Sequence, residues 1–82
     1  MKQADEIRAF ADRVYIRPAR EVGLLEIRIR SREIHDKMNL KGRMPAVCGA
    51  LGTEIFERQY GVKLIKREGP TNGSNVYFTF QL

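Results

Sequence analysis

Eighty-two residues, with 15 Lys and Arg against 10 Asp and Glu, allow one basic domain spanning 1–82. A chain this short buries only roughly 60% of its unfolded surface, so stability rests on efficient packing or on a partner. One Cys and one His exclude an internal disulfide and leave a metal cluster without its other ligands, which fits a reducing compartment.

No apolar run approaches the ~18 residues of a membrane span. The first six residues also lack the apolar stretch of a signal peptide. The expectation is a soluble, cytoplasmic protein with no membrane partner. Its net charge of +5 is unevenly spread. Residues 1–27 balance to zero and residues 44–82 carry +1. Residues 28–43 set Arg28, Arg30, Arg32, Lys37, Lys41 and Arg43 against Glu33 and Asp36, which leaves +4 in sixteen positions. A local basic concentration is the footprint of a polyanion binder, although a solvated surface has the same composition.

In chain order, Ile7, Phe10, Ala11, Val14 and Tyr15 form one apolar stripe and predict a helix over 4–16, with Arg8, Asp12 and Arg13 facing out. Pro18 should kink or stop it, followed by a short helical turn over 18–22 closed by Gly23. Leu25, Ile27 and Ile29 alternate with Glu26, Arg28 and Arg30, as in a half-buried strand. Ser31 is suited to cap a short helix from 31 to 38, with Ile34 and Met38 facing the core. Asn39, Leu40, Lys41, Gly42 and Arg43 make a turn. Val47, Leu51 and Ile55 then predict a helix over 45–60 that ends at Gly61, with a break allowed near Gly52 and Thr53. Residues 62–67 read as a strand and 69–75 as a loop. Val76, Phe78, Phe80 and Leu82 give the clearest alternation in the chain.

The order is therefore helix, strand, helix, turn, helix, strand, long loop, strand: an α+β chain with a small antiparallel sheet. It resembles the winged-helix form of the helix-turn-helix over nearly its whole length. The likeness is carried by the strand 26–30 running into 31–38, the turn 39–43, the helix opening Met44, Pro45, Ala46 and Val47, and the hairpin 66–78. More narrowly, the chain is similar to small winged-helix modules of prokaryotic genome-defence and hypothetical proteins.

The resemblance implies binding of double-stranded DNA, with the second helix of the motif in the major groove and the hairpin loop against the backbone. On this sequence it points to Lys41 and Arg43 where the chain enters that helix, Arg32 in the preceding helix, and Gly49 and Thr53 on its outer face. It adds Lys66, Arg67, Asn72 and Ser74 on the hairpin. A helix N-terminus also offers free N–H groups to a phosphate. Cys48 and Gly52 should lie on or near the same outer face. Sequence-reading side chains (Arg, Lys, Asn, Gln) are missing from its first two turns, so contact should run mainly through phosphates.

No phosphate loop, metal-ligand set or nucleophile with its base can be assembled, so neither an enzyme nor a cofactor is expected. Glu33 and Asp36 should balance Arg32 and Lys37. Two other readings stay open. The small-residue face of Ala46, Gly49, Gly52 and Thr53 would serve a protein-interaction module, as a homodimer or within a larger complex. The basic belt would also serve RNA.

Overall fold

The sequence pattern is realised in a computed structural model that describes residues 2–69 and 75–82. The architecture is α+β, with four helical units followed or interrupted by the strands of one three-stranded antiparallel sheet. The first unit is continuous from residue 2 to residue 21. It comprises α1 (Lys2–Ala11), a π-helical turn (Asp12–Ile16) and α2 (Arg17–Glu21). The expected stop at Pro18 does not occur. The π turn shifts the bonding so that the Arg17 N–H reaches the Asp12 carbonyl, and Pro18 then falls in the first turn of α2, where its missing N–H is harmless. At the far end Leu24 N bonds Ala19 O at 2.9 Å and Gly23 N bonds Arg20 O at 3.1 Å. Gly23, at φ +80°, supplies the left-handed residue this closing pair of bonds needs.

Two charges expected to face solvent are buried instead. Arg8 is 6% exposed and Asp12 4%. Each has partners that make burial tolerable. Arg8 Nη1 lies 3.0 Å from Asp5 Oδ1 and its Nε donates to the Ala50 carbonyl at 3.2 Å, while Arg17 Nε bonds Asp12 Oδ2 at 2.7 Å.

β1 (Glu26–Arg30) leads directly into α3 (Ser31–Lys37). Ser31 is the first residue of that helix and fully buried, so it does not act as the expected side-chain cap; Arg30 holds the cap position. α3 ends on Asn39 at φ 56°, with Leu40 N bonding His35 O and Asn39 N bonding Asp36 O, both at 3.0 Å. Asn tolerates this backbone conformation better than other side-chain-bearing residues. Leu40 then packs against the core.

The helix expected over 45–60 is two helices, α4 (Met44–Leu51) and α5 (Glu54–Tyr60), broken at Gly52 and Thr53, where the sequence allows a break. The break rotates the apolar face by one residue. Ile55 is 54% exposed, and Phe56 takes its place in the core. The Ala50 carbonyl left open by the break accepts from Arg8 Nε and from Thr53 Oγ1, the latter at 3.3 Å. Arg20 Nη2 in turn reaches the carbonyls of Tyr60 and Gly61 at 3.0 and 2.9 Å, tying α2 to the end of α5.

β2 (Lys63–Glu68) and β3 (Tyr77–Gln81) complete the sheet in the order β1-β3-β2. Register sets Ile27 opposite Phe80 and Ile29 opposite Phe78, so one face is apolar. Phe78 and Phe80 meet Phe56 there, with Phe56 edge-on to Phe80 at 5.1 Å between centroids. Ile7, Ile16, Ile34, Val47 and Leu51 close the core from the helical side.

Tyr15 ties the first helical unit to α3 by donating to Glu33 Oε1 at 2.5 Å, with Lys37 over its ring. Burial first, then this hydrogen bond and the charge of Glu33, push the phenol well above its ordinary value of 10.0. The raised value means that the folded state holds the proton where the unfolded chain has released it. The associated stability is complete below about pH 10 and is lost as pH rises further. Urea midpoints are expected to fall above that pH in the wild type and to fall less steeply in Tyr15→Phe.

Candidate nucleic-acid interface

The six cations of residues 28–43 are not equivalent once the chain is folded. Arg28 Nη2 lies 3.3 Å from Glu68 Oε1, and its guanidinium stacks 4.0 Å from the Tyr77 ring centre. Arg30 donates to Asn75 Oδ1 at 2.6 Å, Arg32 pairs with Asp36 at 3.4 Å, and Lys37 pairs with Glu33 at 3.6 Å. Lys41 and Arg43 are exposed and make no ion pair among the described residues. Asn75 is neutral, so Arg30, Lys41 and Arg43 all lack a carboxylate partner among the described residues, and of these three only the pair in the turn before α4 is exposed.

That turn is held in place. His35 is half-buried, and its Nε2 accepts from the Arg43 backbone N–H at 3.3 Å. Its Nδ1 stands 3.5 Å from Asp36 Oδ1. Arg43 occupies the cap position of α4 and no side chain bonds the first-turn N–H groups. Pro45 removes one of those donors, which leaves the N–H groups of Met44 and Ala46 in a first turn that also carries two cations at its entry.

Along α4 and its C-cap the exposed positions are Pro45, Gly49 and Gly52. A Cβ added at Gly49 would meet no atom within 4 Å, so nothing inside the molecule requires glycine there. Gly52 differs: a Cβ there would stand 3.1 Å from the Cys48 carbonyl and 3.2 Å from Arg67 Nη1. Thr53 is half-buried with its hydroxyl engaged on Ala50, so its role is in the helix joint. Cys48, expected on the outer face, is in the core at 1% exposure. Burial raises its thiol pKa, against smaller opposite pulls from a Ser31 hydrogen bond and the charge of Arg67. It is a packed thiol and not an activated one.

Strand alternation separates Lys66 from Arg67. Lys66 lies opposite Thr79 on the outer face of the sheet, where it shares Glu68 with Arg28 at 3.5 Å. Arg67 lies opposite Phe78 on the inner side, with its guanidinium 5.0 Å from that ring and beside Gly52. The basic belt of the sequence is therefore two surfaces. Arg28 and Arg30 lie over Tyr77 on the sheet face turned away from the helices, and Arg28 and Lys66 line a shallow cleft of about 510 Å³ on that face. Lys41 and Arg43 sit at the α3–α4 turn, and Arg67 lies along the far end of α4. The signal for this split was present in the two-residue period of β2, since adjacent strand residues point to opposite faces. Asn72 and Ser74 lie outside the described residues. Gly69, at φ +103°, faces the Asn75 carbonyl so closely that a Cβ would collide with it, which draws the two ends of the loop together.

No protein-family model, curated protein or solved structure matches the chain. Among the described residues no helix is long and apolar enough to cross a membrane.

Proposed function

We propose that the chain is a winged helix-turn-helix domain that binds double-stranded DNA, with α4 as the helix presented to the duplex. The element order and the sheet order β1-β3-β2 support this reading, since they place α3, a turn and α4, followed by the short helix α5, ahead of the antiparallel pair β2–β3. The observation that carries it is the pair Lys41 and Arg43, uncompensated and exposed at the uncapped N-terminus of α4. Such an end attracts phosphate through both its charges and its free N–H groups. Arg67 and Lys66 extend the contact to the hairpin from two different sides.

Binding of this kind is mainly electrostatic and reads shape more than sequence, because the outer positions of α4 are proline and glycine. The test is a salt titration of binding to a labelled random duplex. Log affinity against log salt should fall with a slope near −0.9 for each phosphate neutralised. Affinity that ignores salt would reject the reading. Equal competition by duplex RNA would reassign the same surface to RNA.

Gly49 gives a separate prediction. A mid-helix glycine with open space around it is destabilising by roughly 0.5–1 kcal/mol relative to Ala. Gly49→Ala is therefore expected to raise the thermal midpoint by a few degrees. If the α4 backbone approaches the duplex, the same change lowers DNA affinity. A variant that is both more stable and as tightly bound would show that this face does not touch DNA.

A further inference from the structure

A three-stranded sheet in the order β1-β3-β2 has two open edges, and the two are unlike. The β2 edge is blunted by a register slip between Leu64 and Lys66 and by the lysines Lys63 and Lys66. Bulges and lysines are the usual protection against pairing with another chain. β1 pairs regularly along all five of its residues and contains neither proline nor lysine. Its phase follows from two bonds at 2.9 Å: Leu82 N donates to Leu25 O, and Ser31 N donates to Val76 O. Odd positions from 25 to 31 therefore bond β3, and the N–H and C=O groups of Glu26, Arg28 and Arg30 point out from the free edge.

We propose that this edge pairs antiparallel, about a two-fold axis, with β1 of a second copy of the chain, joining two sheets into one. The charge pattern of Glu26, Ile27, Arg28, Ile29 and Arg30 selects the alignment. Only alignments that set even positions against even positions satisfy the free backbone groups. Centring the axis on Glu26 opposes Glu26 to itself. Centring it on Arg28 opposes that arginine to itself, and centring it on Ile29 opposes Arg28 to Arg30. Centring it on Ile27 sets Glu26 of each copy against Arg28 of the other, and no like charges face each other. Opposite charges at directly facing positions favour a sheet pair and like charges disfavour it. Glu26 makes no ion pair among the described residues, so it is free to take this partner.

The apolar surface agrees with the same alignment. Val22, Leu24 and Leu25 are 75%, 51% and 81% exposed just before β1. They adjoin a groove of about 320 Å³ lined by Val14, Pro18, Val22, Leu24 and Ile27. Leu25 shares the helix-facing parity of Ile27 and Ile29. With the axis on Ile27 it lies opposite Ile29 of the other copy, beside that groove. Exposed apolar side chains clustered next to a free strand edge mark an interface, and an isologous pair covers both copies at once.

Sedimentation without DNA tests the pairing over a wide range of protein concentration. The wild type should approach twice the 9.5 kDa of one chain. Glu26→Arg alone and Arg28→Glu alone should each weaken association roughly tenfold or more. The double variant, which exchanges the two charges, should recover it. Ile27 faces itself across the axis in a non-hydrogen-bonded pair, where Cα atoms are ~4.5 Å apart and a disulfide can form. Ile27→Cys should therefore yield an oxidised covalent dimer that the wild type, whose Cys48 is buried, does not. A wild type that is monomeric throughout overturns the proposal. So does a dimer indifferent to both single reversals, or a double reversal that stays dissociated. Because no nucleic acid enters the measurement, its outcome is separate from that of the DNA reading.

Discussion

Replacing Lys41 and Arg43 together by alanine is expected to weaken duplex binding by about a hundredfold and to leave the fold intact. Each cation, if it bonds a phosphate, contributes about 1.5 kcal/mol or slightly more as a charge-assisted hydrogen bond. A change of ~1.4 kcal/mol is a factor of ten in affinity. The salt slope should fall by about 1 for each residue removed, and the loss should be similar for every sequence tested. Both side chains are exposed and without ion pairs among the described residues, so the unfolding free energy should change little, by no more than about 0.5 kcal/mol. Arg32→Ala is the internal control. Its partner Asp36 already offsets it at 3.4 Å, and its removal should change the slope less than either turn residue does. A double variant that binds with unaltered slope would place the duplex elsewhere, and the outer sheet face around Arg28 and Lys66 would be the next surface to test.

The largest effect on stability belongs to Phe56. It is fully buried, edge-on to Phe80, and 5.5 Å between centroids from Tyr60 in the same helix. Truncating a core phenylalanine costs about 3–5 kcal/mol through lost burial and the cavity left behind. A domain of this length has roughly 4–12 kcal/mol in total at ~0.05–0.15 kcal/mol per residue. Phe56→Ala should therefore remove most of the cooperative unfolding transition, as seen by circular dichroism in urea. Ile55→Ala, one residue earlier, should stay within about 0.5 kcal/mol, because that side chain is 54% exposed. The pair reports directly on the break between α4 and α5. An unbroken helix over 45–60 continuing the stripe of Val47 and Leu51 would instead make Ile55→Ala the costly change.

That break shows where sequence reading reaches its limit. Val47, Leu51 and Ile55 keep a perfect four-residue spacing, and Gly52 with Thr53 signals only that an interruption is permitted. The choice between one helix and two depends on who satisfies the Ala50 carbonyl. Its donors are Thr53 and Arg8, the latter 42 residues away. The same long-range bond explains why Arg8 is buried beside the apolar stripe of α1, although its charge argued for solvent. The extent of the first helical unit is a similar case: Pro18 forbids one hydrogen bond, and the π turn rearranges the others around the gap.

The strands were more legible. Period-two alternation in 26–30 and 77–81 is local, and both form with the expected faces. Turn chemistry at Gly23, Asn39 and Gly61 also marked the helix ends correctly, since left-handed backbone is a property of single residues.

The charge itself divides in the same way. By itself the sequence determined that this is a small basic α+β chain with +4 concentrated in residues 28–43, because composition and period need no knowledge of partners. Only the tertiary structure decided which of those charges remain available. Glu68, distant in sequence, offsets Arg28 across the sheet, Asn75 holds the half-buried Arg30 by a hydrogen bond without offsetting its charge, and Asp36 and Glu33 take Arg32 and Lys37 within α3. Lys41 and Arg43 are left uncompensated. Coulombic compensation acts over a few ångströms of space, whatever the separation along the chain, and a linear count of charges cannot contain it.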